Sequence, residues 1–344
     1  MLNIKVLKAL NGDSIIISYG EDKLHYILVD GGRGKLCFHQ LCKFIEKVKV
    51  EKGKIDLLVL THIDSDHIDG ILRLLSQKDF DFSIIDQMWF NFGTGLLNSL
   101  QIDGICKKIY LYERDTEISW KQGKDLEQIL QNTKIRRKLP IVGLDCHSVG
   151  GAKITILSPN VEILKEFVQK SDEESVRSTQ ISYGCDYEKS VAELYEKEFE
   201  GIVSLTNKSS IAFLFEFGGK RLLFLGDAEE STIKSSLSKL GYSNKNKLRV
   251  DYCKIAHHAS KHNTSNELIE MLDCSNYIIS TQLTKEGRPS KECLSRIVCN
   301  TALPVNFYCN YNINANSIFT EEEISEYGMK FIILNEDGIN VEEA

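Results

Sequence analysis

The sequence predicts an α/β protein with a β-rich core in two halves, flanked by helices. Three observations carry this. The first 30 residues read as a β-meander, IKVLKAL, a turn at Asn11-Gly12-Asp13, then SIIISYG and HYILVDGG. From there apolar strands alternate with amphipathic helical stretches, the pattern of a sheet covered by helices. A second β-rich stretch follows late in the chain, where IAFLFEF, Gly218-Gly219 and RLLFLGD form a hairpin.

The elements follow in order. Leu36, Phe38, Leu41, Phe44, Ile45 and Val48 recur at helical spacing over 36–50. IDLLVL (55–60) is a continuous apolar strand, followed by a loop and a helix at about 68–77. A helix is predicted near 122–132, then a basic cluster at Lys134, Arg136, Arg137 and Lys138, then the strand KITILSP (153–159). Residues 161–200 read as a helical, acidic insertion. Its Val161, Ile163, Leu164, Phe167, Val191, Leu194, Tyr195 and Phe199 fall at helical spacing, which suits a partner or lid surface. After the hairpin come helix 229–239, strands 251–256 and 277–281, helix 290–299 and two terminal strands.

The chain of 344 residues is most simply one domain, 1–344, with 161–200 as an excursion within it. Hydrophobic residues make up 42% and charged residues 26%, which excludes a disordered or collagen-like chain. No run approaches 18 apolar residues and the N-terminus lacks a cleavage site, so a soluble cytoplasmic protein without membrane association is expected. The ten cysteines form no Cys-x-x-Cys pair and read as reduced core residues. The net charge of −7 does not exclude a polyanionic partner: residues 161–200 hold eleven acidic against five basic residues, leaving about −1 elsewhere.

Histidine marks the chemistry. Five of the eight histidines fall in two short tracts. Thr61-His62-Ile63-Asp64-Ser65-Asp66-His67-Ile68-Asp69-Gly70 places five potential ligands within eight residues, directly after a buried strand. Carboxylate with imidazole suits Zn²⁺, Mn²⁺ or Fe, and the absence of cysteine argues against a structural zinc knuckle. The plainer alternative is a polar loop whose Asp66 or Asp69 caps the next helix, but a cap uses one side chain and leaves the rest unexplained. Leu225-Gly226-Asp227 and Ala256-His257-His258-Ala259 follow two other apolar strands. Three strand ends thus deliver His/Asp, Asp and His-His, as in a dinuclear hydrolytic site.

The order His-x-Asp-x-Asp-His-x-x-Gly, Gly-Asp, His-His resembles the metallo-β-lactamase-fold hydrolases, in particular the soluble domain of ComEC/Rec2-type competence proteins and their free-standing relatives. Asn11-Gly12-Asp13-Ser14, Val29-Asp30-Gly31-Gly32, Asn207-Lys208-Ser209-Ser210 and Lys254-Ile255-Ala256-His257-His258-Ala259-Ser260 resemble that branch's other motifs. The resemblance implies a four-layer αββα fold and two divalent ions, Zn²⁺ or Mn²⁺. His62 and Asp64 would bind one ion, Asp66 and His67 the other; Asp227 would bridge them and His257 or His258 would complete a shell. His147 is the candidate for a further family histidine. Asp66 would also accept the proton, and Asp30 would orient a ligand. Lys261, Lys285 and Arg288 are candidates to hold a phosphate oxygen. Three departures stand out: Asp64 replaces a histidine and favours Mn²⁺, Ala259 stands where glycine is usual, and Arg288 stands where histidine is frequent.

By the same resemblance the substrate is a phosphodiester and the protein a nuclease, with a place in anti-phage defence. Nucleic acid is then the partner; an operon-encoded protein partner and a homo-oligomer stay open. The basic cluster 134–138 and Lys43, Lys47 and Lys49 are candidate backbone contacts, or simply exposed helix faces. Two rivals remain. A hydrolase of small esters, lactones or phosphocholine would use Trp89, Phe90, Phe92 and Trp120 as an aromatic pocket, unless these pack the core. A catalytically silent binding subunit would tolerate the departures at Asp64 and the missing histidine.

Overall fold

The computed structural model describes residues 1–101, 118–169, 185–284 and 287–341. Its first sheet contains β1 (Leu2–Val6), β2 (Ile15–Tyr19), β3 (His25–Val29), β4 (Ile55–Val59), β5 (Gln87–Trp89), β6 (Arg136–Arg137) and the late strand β17 (Ile339–Asn340), in the order β17-β1-β2-β3-β4-β5-β6. The second contains β7 (Cys146–Val149), β8 (Ala152–Ser158), β9 (Ala212–Phe217), β10 (Lys220–Phe224), β12 (Tyr252–Lys254), β14 (Asn276–Ile279), β15 (Val305–Cys309) and β16 (Met329–Ile333), in the order β16-β15-β14-β12-β10-β9-β8-β7. A parallel pair, β11 (Leu248–Arg249) with β13 (Leu272–Asp273), lies apart. The helices are α1 (Lys35–Val50), α2 (Ser65–Leu75), α3 (Gly93–Ser99), α4 (Ile118–Gln131), α5 (Val161–Gln169), α6 (Val191–Tyr195), α7 (Leu205–Lys208), α8 (Glu230–Lys239), α9 (Asn266–Glu270), α10 (Lys291–Asn300) and α11 (Glu321–Glu326).

Three apolar clusters define the layers. The continuous apolar run of β4 is buried on both faces, so Leu57 and Val59 point to one side of the first sheet and Leu58 to the other. One cluster joins Leu28, Leu58 and Met88 of the first sheet to Leu41 and Ile45 of α1, Ile68 and Ile71 of α2, and Trp120 and Leu126 of α4. A second lies between the sheets, where Ile15, Ile17, Val29 and Val59 meet Ile154, Phe213, Phe215 and Phe224. The third joins Leu214, Leu223, Cys253 and Ile279 to Ile233 of α8, Leu268 of α9 and Leu294 and Ile297 of α10. The order is therefore helix, sheet, sheet, helix: the four-layer αββα arrangement.

The predicted meander, the strand 55–60 and the hairpin are present as β1–β3, β4 and β9–β10. Three points differ. Helix α2 starts at Ser65, so Asp66 and His67 belong to its first turn rather than to a loop. Arg136 and Arg137 form the edge strand β6, not a helix face; Arg136 pairs with Asp86, and Arg137 with Glu127 and the carbonyls of Phe90 and Phe92. Ile163, Leu164, Phe167, Val191 and Leu194 of the acidic segment are buried against their own chain, so these five side chains pack internally, while Val161, Tyr195 and Phe199 are half-buried. Residues 170–184 of that segment lie outside the described residues.

Among the described residues no helix is long and apolar enough to cross a membrane. The nine described cysteines are free thiols, of which Cys146 and Cys185 are exposed rather than in the core. Burial pushes those of Cys37, Cys274, Cys293 and Cys309 up to about 12, which keeps them protonated.

Strand direction positions the site. Strands β3 and β4 run parallel, as do β10, β12 and β14, so within each sheet their C-terminal ends share one edge. Asp30, the tract from Thr61, Asp227 and His257-His258 all follow those ends.

Candidate metal centre

The histidine tract is held by close backbone packing. Gly31 N donates to His67 O at 2.8 Å, and Gly70 N to Gly32 O at 2.9 Å. A Cβ on Gly70 would lie 1.9 Å from Gly31 O, so only glycine lets the Asp30 turn rest on α2. The N-cap position of α2 falls to Asp64, not to Asp66 or Asp69, and the Asp64 side chain makes no capping bond. Capping therefore does not explain the tract's carboxylates, and Asp64 Oδ2 instead lies 3.6 Å from His62 Nε2.

Four histidines are oriented in the same way. Thr61 Oγ1 donates to Asp30 Oδ2 at 2.8 Å, so its oxygen accepts from His62 Nδ1 at 2.9 Å. His67 Nδ1 donates to Asp30 Oδ2 at 2.7 Å. His258 Nδ1 donates to Ser280 O at 2.8 Å, and His257 Nδ1 to Asn263 Oδ1 at 2.9 Å. Each imidazole thereby turns Nε2 inward as an acceptor, the arrangement in which histidines hold metals.

These nitrogens converge on Asp227. Its Oδ2 lies 3.9 Å from His62 Nε2, 3.5 Å from His67 Nε2, 3.7 Å from His257 Nε2 and 3.6 Å from His258 Nε2. Two ligands about 2.1 Å from one tetrahedral ion stand roughly 3.4 Å apart. Asp227 is itself fixed: its N donates to Ser210 Oγ at 3.1 Å, and Asn263 Nδ2 donates to its carbonyl at 3.1 Å.

The unmet atoms test the fit to a cation. Buried Nε2 atoms of His62, His67 and His258 have no hydrogen-bond partner, nor do Asp13 Oδ1 and Asp227 Oδ1. Such orphans are costly unless a ligand meets them. Imidazole and carboxylate donors suit Zn²⁺, Mn²⁺ or Fe. Ligand atoms of Asp13, His67, Asp227 and His258 all lie within 4.8 Å of one another.

The charges of the cluster also act on one another. Burial pushes the His67 imidazole down, but the Asp227 and Asp30 carboxylates outweigh it and hold the group well above the usual histidine range. Burial pushes Asp227 up, but His258, His67 and His257 outweigh it and hold the carboxyl well below its usual range. Burial dominates at His258 and His257, lowering both.

The two histidines of the second tract differ. His257, His258 and Ala259 all have positive φ, 47°, 56° and 62°, a left-handed turn that sets the adjacent rings edge to face with centroids 5.9 Å apart. The His258 Nε2 is unmet, whereas His257 Nε2 faces Arg288 Nη2 at 3.2 Å and Asn207 Nδ2 at 3.4 Å. Asp66 Oδ2 lies 3.8 Å from His258 Nε2.

Other expected residues are placed elsewhere. His147 sits on β7 opposite Ile154, with its ring against Trp89 and its Nδ1 3.1 Å from Lys138 Nζ; it is not brought into the cluster. Lys285 lies outside the described residues. Lys261 is engaged through its backbone carbonyl, which accepts from Arg296 at 2.8 Å. Trp89, Phe90, Phe92 and Trp120 are buried in the core, so they do not form an open aromatic pocket. Asp13 is the member of this cluster that sequence reasoning misses; the Asn11-Gly12-Asp13 turn signal is visible, its destination is not.

No protein-family model matches the chain, and no curated protein matches it. Solved structures do. The metallo-β-lactamase-fold protein YhfI from Bacillus subtilis matches at 11% identity over 98% of both chains, with a TM-score of 0.40. Zn²⁺-bound PqqB from Methylobacterium extorquens matches at 12% identity over 94% of this chain and 85% of its own, with a TM-score of 0.39. CmlA, a diiron β-hydroxylase from Streptomyces venezuelae, matches at 12% identity over 97% of this chain, which spans 53% of CmlA, with a TM-score of 0.40.

Proposed function

We propose that this protein is a metal-dependent hydrolase of phosphodiesters, acting as a nuclease. The observation that carries the reading is the convergence of three buried, unmet Nε2 atoms, those of His62, His67 and His258, on the Asp227 carboxylate. In this reading His62 and Asp64 would hold one divalent ion, Asp66, His67 and His258 would hold the other, and Asp227 would serve both. Zn²⁺ and Mn²⁺ both suit the donors, and the carboxylates of Asp64 and Asp66 favour Mn²⁺. When bound, such ions supply a water that ionises near neutral pH and withdraw charge from the oxygen under attack.

The chain's own residues supply the rest. Asp30 fixes the His67 tautomer, and Asp66, whose side chain is 25% exposed, accepts the proton at its carboxylate. Arg288 Nη2 and Asn207 Nδ2 bring two donors to the rim beside His257, suited to phosphate oxygens. The burial of the aromatic residues weighs against the small-ester reading.

The test is cleavage of end-labelled single- and double-stranded DNA and RNA with Mn²⁺ or Zn²⁺, comparing wild type with Asp66→Asn. Metal-dependent cleavage lost in the variant supports the reading. Equal cleavage by both proteins indicates a contaminant, and no cleavage by either sinks the nuclease assignment.

A further inference from the structure

Asp13 is 2% exposed and Lys254 1%, and the Lys254 ammonium donates to Asp13 Oδ2. A structural ion pair of this depth would be expected to satisfy both carboxylate oxygens. Here Oδ1 has no hydrogen-bond partner and lies 3.5 Å from the His258 ring at Nδ1. The turn that carries Asp13 is seated on the histidine tract: a Cβ on Gly12 would lie 1.8 Å from Asp66 O. Lys254 Nζ also lies 3.4 Å from Gly226 O, next to Asp227.

We propose that Asp13 is a further metal ligand, acting through Oδ1 on the ion shared by His67, Asp227 and His258, and that Lys254 offsets its charge until that ion binds. This rests on the metal-centre reading above. Lys254 holds Oδ2, which leaves Oδ1 the free acceptor of the carboxylate. Its charge also offsets one of the carboxylates gathered there before a cation arrives. Removing Lys254 therefore strengthens the pull on a cation and weakens the metal-free fold.

The experiment uses the full chain, stripped with chelator and titrated with MnCl₂ or ZnSO₄ by calorimetry, with thermal melts at each end point. Wild type, Asp13→Asn, Lys254→Met, the double variant and Asp227→Asn are compared. Asp13→Asn is expected to weaken one ion about ten- to a hundredfold. Lys254→Met is expected to bind at least as tightly as wild type and to gain more melting temperature from metal. The double variant, which removes both charges and so guards against misfolding, is expected to bind like Asp13→Asn. Wild-type affinity and stoichiometry in Asp13→Asn and the double variant, with loss in Asp227→Asn, would overturn the proposal and leave the metal centre standing. Absence of binding in folded wild type would overturn both.

Discussion

Asp30 Oδ2 accepts from His67 Nδ1 at 2.7 Å, and both side chains are fully buried. The same carboxylate accepts from the backbone N and hydroxyl of Thr61, which in turn orients His62. One aspartate therefore sets the direction of two imidazoles. Asp30→Asn keeps the shape and removes the charge, so metal affinity is expected to fall about ten- to a hundredfold. Calorimetric titration with Mn²⁺ checks this, and an unchanged affinity would refute the role.

Gly70→Ala sets helix propensity against packing. Alanine in a helix interior is favoured over glycine by about 1 kcal/mol. At this position its Cβ would lie 1.9 Å from Gly31 O, a backbone atom that cannot rotate away. Overpacking costs about 1–3 kcal/mol and here also displaces Asp30 from His67. The variant is expected to lower both the urea midpoint and metal affinity; a stabilised protein with intact binding would contradict this.

Much of this centre is legible in the sequence because its residues follow apolar strands at short spacing. His62, His67 and Asp227 need only that pattern. Asp13 does not stand out, since an aspartate in an Asn-Gly-Asp turn is ordinary, and only the packing of Gly12 on Asp66 brings it to the histidines. His147 misleads because residue type carries no register: pairing with Ile154 fixes it against Trp89. Arg137 is likewise hidden, because its partner Glu127 comes from α4 and is joined to it only by tertiary packing.

Placement of His147 gives a direct contrast. His147→Ala is expected to leave metal affinity at the wild-type value, whereas His258→Ala loses a ligand and weakens it by about tenfold or more. Parallel titrations of the two variants check this, and a loss in His147→Ala would show that β7 reaches the centre.

Glu323, which is not a member of the histidine cluster, supplies a pH dependence of its own. Burial pushes its carboxyl up, but the Lys291 ammonium at 2.8 Å and the backbone N–H groups of Thr320 and Val191 outweigh it, holding it below the usual range. Its stabilising contribution is present above the unfolded value of about 4.3 and is lost as pH falls through the lower folded value. Lys291→Met is expected to cost about 2 kcal/mol at pH 7. The difference from wild type should shrink below about pH 4. Urea midpoints at pH 7 and at about pH 3 check this, and an equal gap at both would refute it.

Asp64→His tests what the carboxylate at this position does for metal choice. Asp64 Oδ2 lies 3.6 Å from His62 Nε2, and its side chain is 33% exposed, so the larger imidazole has room to extend. Exchanging an oxygen donor for nitrogen softens the His62 side of the centre while leaving Asp66, His67 and His258 in place. Zn²⁺ affinity is therefore expected to rise relative to Mn²⁺, with the change confined to one of the two proposed ions. Competition titration of both metals on the wild type and the variant reads that ratio. An unchanged ratio would mean that Asp64 does not contact an ion, and a change in both ions would mean that the two subsites are not separable.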